Sequence, residues 1–163
     1  MIEIERKFLL YDVPDWEYDE IMTIEQYYIF TGEKELRVRR NHLPDGIFSY
    51  RLSMKKDLPV ESGEIFARQE EEEWISEELF NMMIKFAEGY VKKHVCKKGE
   101  ICISDIRDSM DHCICIMYEI EFITQKDAAN FDKSEVPNLF QEVTHDPEFR
   151  VQKLATRMRY SHS

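Results

Sequence analysis

Alternation of apolar and polar residues dominates the chain, and a period of two marks a half-buried β-strand rather than a helix. IEIERKFLL (2–10) and IEQYYIF (24–30) read as the first two strands. LRVRR (36–40) and IFSYRLSMKK (47–56) follow, and the PDG turn at 44–46 joins them into a hairpin. FARQEEEEWI (66–75) makes a fifth. The period then changes: Ser76 with Glu77 and Glu78 predicts a helix start, Leu79, Met83, Phe86, Ala87 and Tyr90 share one helical face, and Gly89 supplies a stop. Strands resume with YVKKHVCKK (90–98), turn at Lys98-Gly99, return as ICISDIR (101–107), and end in the longest apolar run, CICIMYEIEFI (113–123). A short helix is expected around Lys126 to Phe131. A terminal one follows the Asp146-Pro147 pair, with Val151, Leu154, Ala155 and Met158 as its apolar stripe. No stretch reads as a linker, repeat or low-complexity tract. The expectation is one domain over residues 1–163, α+β but mostly antiparallel β, with about eight strands.

At 43% hydrophobic and 34% charged, 163 residues suffice for one well-buried core. No apolar run approaches the roughly 18 residues of a membrane span, and the N-terminus lacks the basic-then-apolar layout of a secretory signal, so a soluble, cytoplasmic protein is expected. Cys96, Cys102, Cys113 and Cys115 lie in strand-like surroundings without a C-x-x-C, which predicts buried reduced thiols rather than zinc or disulfides. A formal net charge of -11 argues against nucleic-acid or anionic-membrane partners. The basic residues are nonetheless concentrated: LRVRR, SYRLSMKK and VKKHVCKK hold ten of the 22 Lys and Arg.

Residues two apart on a strand point to one side. Glu3, Glu5 and Lys7 therefore share a face, as do Arg37 and Arg39, then Arg51, Ser53 and Lys55, then Arg68, Glu70 and Glu72, then Lys92 and His94, then Glu119 and Glu121. For any one strand, such a face simply looks at solvent. Within the most apolar strand of the chain, however, two uncompensated carboxylates would be costly to bury. If all these faces line one closed barrel, six acids meet seven bases in a hydrated lumen. Clustered Arg and Lys suit the oxygens of a polyphosphate, and clustered carboxylates suit Mg²⁺ or Mn²⁺ beside it, which together describe a phosphoryl-transfer site.

EIERK resembles the E-x-E-x-K signature of the CYTH superfamily, the triphosphate tunnel metalloenzymes that include class IV adenylate cyclase and thiamine triphosphatase. IEQYYI, LRVRR, YRLSMKK, the R-x-E-x-E of Arg68, Glu70 and Glu72, EIEF and EVTHD follow in the family's order, so the resemblance covers nearly the whole chain. It implies a closed eight-stranded antiparallel barrel with a few flanking helices. Triphosphate binding falls to Lys7, Arg37, Arg39, Arg51, Lys55 and Lys92, and metal coordination to Glu3, Glu5, Glu72, Asp105, Glu119 and Glu121. Lys7 with Tyr28 is the implied catalytic pair. A metal-dependent triphosphatase acting on inorganic tripolyphosphate is the expected activity, with Mg²⁺ or Mn²⁺ as cofactor and a small-molecule triphosphate as partner; a homodimer is compatible with it. Two alternatives stay open: a class IV-type adenylate cyclase, for which no base-reading motif stands out, and a non-catalytic polyphosphate-binding module. The sequence also departs from the family. His94 stands where relatives carry a second strand cation, and Phe149 replaces a C-terminal tyrosine with no asparagine following.

Overall fold

Every predicted stretch of alternation becomes a strand, and one strand forms that alternation did not announce. The computed structural model describes residues 1–157 and contains β1 (Ile2–Leu10), β2 (Glu20–Phe30), β3 (Lys34–His42), β4 (Phe48–Asp57), β5 (Ala67–Trp74), β6 (Gly89–Lys98), β7 (Ile101–Arg107), β8 (Cys113–Phe122) and the unannounced β9 (Leu139–Glu142). The order is β5-β4-β3-β2-β6-β7-β8-β1-β9, and β1 also pairs with β5, so eight antiparallel strands close into a barrel. One edge of β1 is covered by β8. Its opposite edge is divided between β5, at Ile2 to Ile4, and β9, at Phe8 to Leu10.

Helix α1 (Glu77–Met83) starts as its sequence predicts, with the Ser76 hydroxyl accepting from the Leu79 N–H at 3.1 Å. It ends a turn early, in a 3-10 turn over Ile84–Phe86, because Gly89 opens β6 instead of stopping a helix. The buried face shifts accordingly. Phe80 is fully buried, while Leu79 and Phe86 of the predicted stripe are exposed. Helix α2 (Gln125–Asn130) is capped by Thr124. Asp146 and Pro147 begin a separate 3-10 turn (Pro147–Phe149), and extended backbone at Arg150 divides it from α3 (Val151–Arg157). Met158, the last residue of the predicted stripe, lies outside the described residues.

Three apolar clusters coat the outside of the barrel. Phe8, Leu10, Ile103 and Tyr118 pack with Val13, Trp16, Tyr18 and Val136; Tyr27, Val38 and Tyr90 pack under Phe80; Ile4, Ile65 and Ala67 pack with Ala128 of α2. A fourth cluster is inside. Leu9, Tyr28, Val91, Ile106 and Met117 point inward at one end and meet Val151, Leu154 and Ala155 of α3, forming an apolar floor. Each such buried side chain contributes about 1.5–3 kcal/mol. Two details seat α3. The Gly32 N–H donates to Gln152 Oε1 at 2.6 Å, and a Cβ at Gly89 would meet the backbone C and O of Ala155 at 3.0 Å, so any larger residue would push α3 back by a few tenths of an ångström. The four thiols are free, but none is buried as expected: Cys96, Cys102 and Cys115 are half-buried and Cys113 is exposed. No helix among the described residues is long and apolar enough to cross a membrane.

Candidate active site

Above the floor, the inward rows of the barrel change from apolar to charged and enclose a cavity of about 360 Å³. Nine acidic and nine basic side chains line it, so it is near neutral overall and the sorting of the two signs sets its chemistry. Twelve sequence-predicted lumen residues are there: Glu3, Glu5, Lys7, Arg37, Arg39, Arg51, Lys55, Arg68, Glu70, Glu72, Glu119 and Glu121, with Tyr28 at the floor.

Lys92 and Asp105 are not, which corrects the face expected for β6 and β7. Lys92 lies outside, 3.6 Å from Asp111, and Asp105 accepts from Arg107 on the same outer surface at 2.9 Å. Register is the cause: Cys102 pairs with Glu119 and Lys97 with Cys102, so Lys97, Val95 and Lys93 share the inward row with Glu119. A shift of one residue exchanges the two faces. His94 also faces outward, against Thr23 at 3.1 Å, so its substitution for a family cation leaves the lumen untouched.

Lys93 takes the inward place. Five further charged cavity residues escaped the sequence reading: Glu35, which the parity of Arg37 and Arg39 already pointed to; Lys97, on the inward row of Lys93; Glu100; Asp146; and Arg150, whose entry depends on the break before α3 and had no local signal.

Acids cluster on β1 and β8. Ligand oxygens of Glu3, Glu5 and Glu121 lie within 4.8 Å of one another, a set of hard donors that can hold a divalent cation. Its electrostatics fit one. Burial and the nearby Glu119 push the Glu5 carboxyl well above the usual range. Burial opposes ionisation of Glu119 too, but Lys7, Lys93 and the hydrogen bond from Glu5 hold it below the usual range. Burial and Glu3 raise Glu121 as well. Like charges are crowded here, and a cation would relieve them.

Bases cluster on β3 and β4, each already answered by a carboxylate. Arg51 reaches Glu72 at 2.7 Å and Arg39 reaches it at 3.3 Å; Lys55 lies 3.2 Å from Glu3 and 3.5 Å from Glu70; Arg37 lies 3.5 Å from the buried Glu35. Glu72 is thus an arginine partner, set apart from the three-carboxylate group. Despite burial, the hydrogen bond from Glu70 and the charges of Arg39 and Arg51 bring its carboxyl down to about 2, while burial and the bonds to Glu3 and Glu72 push Glu70 up to about 8. The Nε atoms of Arg37 and Arg39 are buried donors without an acceptor. Lys93 has no carboxylate at ion-pair distance among the described residues, and burial brings its amine down to about 8 although Glu119 opposes this. Unsatisfied donors facing a hydrated cavity are what a polyanion would occupy.

Lys7 and Tyr28 do not form the implied pair. Lys7 Nζ sits 3.4 Å from Glu5, whereas the Tyr28 hydroxyl accepts from Gln26 and neighbours Arg37 and Glu35. Burial and Glu35 raise its phenol far above the usual value, so it stays neutral. The EVTHD segment tethers the other end of the signature: Thr144 Oγ1 accepts from the Lys7 N–H at 3.0 Å and donates to Glu142 at 2.6 Å.

No family model matches the sequence, and no curated protein is detectably similar to it. Solved structures are similar. The inorganic triphosphatase NE1496 shares 25% identity over 94% of this chain and 94% of its own, with a TM-score of 0.59. PH1819 and PH1012 from Pyrococcus horikoshii OT3, each at 16% identity and a TM-score of 0.50, share the fold over 83% and 78% of this chain, or 82% and 83% of theirs. With a closed eight-stranded barrel, a charged lumen and the ordered motifs that fill it, the chain has the triphosphate-tunnel fold, consistent with the resemblance of its motifs to the CYTH superfamily.

Proposed function

We propose that this protein is a divalent-metal-dependent triphosphatase that hydrolyses the terminal phosphoanhydride of inorganic tripolyphosphate, releasing phosphate and diphosphate. One observation carries the reading: acids on β1 and β8 face bases on β3, β4 and β6 across a single enclosed cavity. The similarity to NE1496 over nearly the full length of both chains supports it.

Arg37, Arg39, Arg51 and Lys55 grip the phosphate chain, with Lys93 in the place first expected of Lys92. Their present carboxylate partners hold them extended into the lumen, and a phosphate oxygen replaces each carboxylate oxygen without reorganising the arginine. Lys7, kept charged against its burial by Glu5, Glu119 and Glu3, neutralises charge that develops beside the acidic wall. Glu3, Glu5 and Glu121 would hold Mg²⁺ or Mn²⁺, with Glu119 orienting that group through Glu5. A bound ion supplies Lewis acidity toward phosphate oxygens and a more acidic water. Positioning and fixed charge provide the rest of the rate, as expected when the transferred group needs little covalent help.

Purified protein given tripolyphosphate with Mg²⁺ or Mn²⁺ should release phosphate and lose that activity to a chelator. Formation of cyclic AMP from ATP, or tight tripolyphosphate binding with no phosphate release, would overturn the assignment in favour of the cyclase or the binding module.

A further inference from the structure

β1 supplies both walls of the acidic site, yet its central residues are held unlike the rest of the strand. On the β8 edge, Ile4 to Leu10 pair without interruption. On the opposite edge β5 stops at Ile4 and β9 begins at Phe8, so among the described residues no strand covers Glu5, Arg6 and Lys7 there. A strand supported along one edge only opens and shifts more easily than one paired on both. These are also the residues with most reason to move, because Glu5 lies opposite Glu121 and Lys7 opposite Glu119.

The segment that follows β9 closes the gap. The Val143 N–H donates to the Lys7 carbonyl at 2.8 Å, and the Thr144 hydroxyl accepts from the Lys7 N–H at 3.0 Å, so both backbone groups of Lys7 are met by two consecutive residues. That hydroxyl is itself aimed. It donates to Glu142 Oε2 at 2.6 Å, and Glu142 is fixed in turn by a forked pair from Arg6, with Nε at 2.9 Å and Nη2 at 2.8 Å. Arg6 is anchored to the outer wall: its Nη1 donates to the carbonyls of Ala128 and Phe131 at 3.1 and 2.8 Å, and its guanidinium lies over the rings of Phe8 and Phe131. The bonds thus leave β1 through the Arg6 side chain and return to it at the backbone of the next residue.

We infer that Thr144 is a positioning residue for Lys7 and, along the same strand, for Glu5: its hydroxyl takes the place of the absent strand and sets how far both side chains reach into the cavity. The inference rests on the triphosphatase reading and adds a residue to that site. The clasp acts on the placement of the acidic wall, whereas the grip on the phosphates belongs to β3, β4 and β6, so its loss shows in kcat rather than in KM.

Wild type, Thr144→Val and Thr144→Ser are compared for turnover of tripolyphosphate with Mg²⁺ and for hydrogen exchange of the Lys7 amide by NMR. Valine keeps the shape of threonine without the hydroxyl, and serine keeps the hydroxyl. Thr144→Val should lower kcat roughly tenfold or more with KM within about twofold, and should speed exchange at Lys7 roughly tenfold more than at Val91 in the floor, while Thr144→Ser recovers most of both losses. Because Thr144 also lines the cavity, a raised KM with kcat intact would make it a substrate contact instead. Equal losses in the valine and serine variants would make it packing, and an unchanged kcat in Thr144→Val would remove it from the site; each of these three results overturns the inference. Should wild type release no phosphate, the triphosphatase reading fails, and the exchange rate at Lys7 still decides whether the hydroxyl fixes the strand.

Discussion

Glu121 and Glu119 of β8 look into a charged cavity, yet the next inward residue, Met117, lies in an apolar floor against α3. β1 repeats the change: Glu3, Glu5 and Lys7 line the cavity and Leu9 the floor. Both regions belong to one inner surface, so alternation alone treats them alike. What separates them is depth. Near the mouth, water and opposite charges compensate each side chain; at the floor, packing replaces both. The lumen is therefore built for chemistry at little gain in stability, and the floor holds the barrel shut beneath it.

Reversing the character of the floor should give the largest effect. Leu154→Asp buries a carboxylate without a partner and should cost about 4 kcal/mol or more, unfolding most of the protein in a urea titration. Glu121→Gln inverts that outcome: tripolyphosphate turnover should fall by roughly a hundredfold or more, with stability within about 1 kcal/mol of wild type, because the glutamate is crowded by like charges. A variant that lost both together would erase the distinction between the two regions. Neighbouring lysines sharpen it further. Lys93→Ala should weaken kcat/KM roughly tenfold, as for one charge-assisted hydrogen bond, whereas Lys92→Ala on the outer face should stay near wild type. The reverse order would restore the register first expected.

The smallest effect is in pH. Glu70, with its carboxyl pushed up to about 8 from an ordinary value of 4.5, binds its proton more tightly folded than unfolded. Stability of the metal-free protein should then fall as pH rises from about 5 to 8, while Glu72, brought down to about 2, changes nothing in that window. Lys93 acts only above its value of about 8. Melting temperatures read across that range should show a downward slope that Glu70→Gln makes shallower, with the raised Glu5 and Glu121 supplying the remainder, and an unchanged slope in the variant would clear Glu70 of the effect.

Much of this was legible in the residues. Strand parity places twelve charged side chains in one lumen: most lie on strands whose opposite face is apolar, and those of β5, polar on both faces, follow the R-x-E-x-E spacing instead. β6 failed that condition. With Lys92, Lys93 and His94 in a row, both of its faces carry cations, and only the short turn to β7 sets which one faces inward. Asp105 followed the same error one strand on. β9 is four residues long and exists through its backbone bonds to β1, so alternation could not reveal it. The α1 stripe erred for another reason: Gly89 serves the close approach of α3, a contact 66 residues away in the chain.

β1 is bordered by three strands that are all translated later, the first beginning at residue 67 and the last ending at 142. As the ribosome delivers the chain, β2 to β5 can assemble hairpin by hairpin through near neighbours, while the opening segment has nothing to pair with. It is the first stave cut and the last one set. Its charged alternate positions keep it hydrated and poorly suited to sticking to other nascent chains during that wait, so the residues that serve the finished enzyme also protect the protein before there is a barrel to hold them.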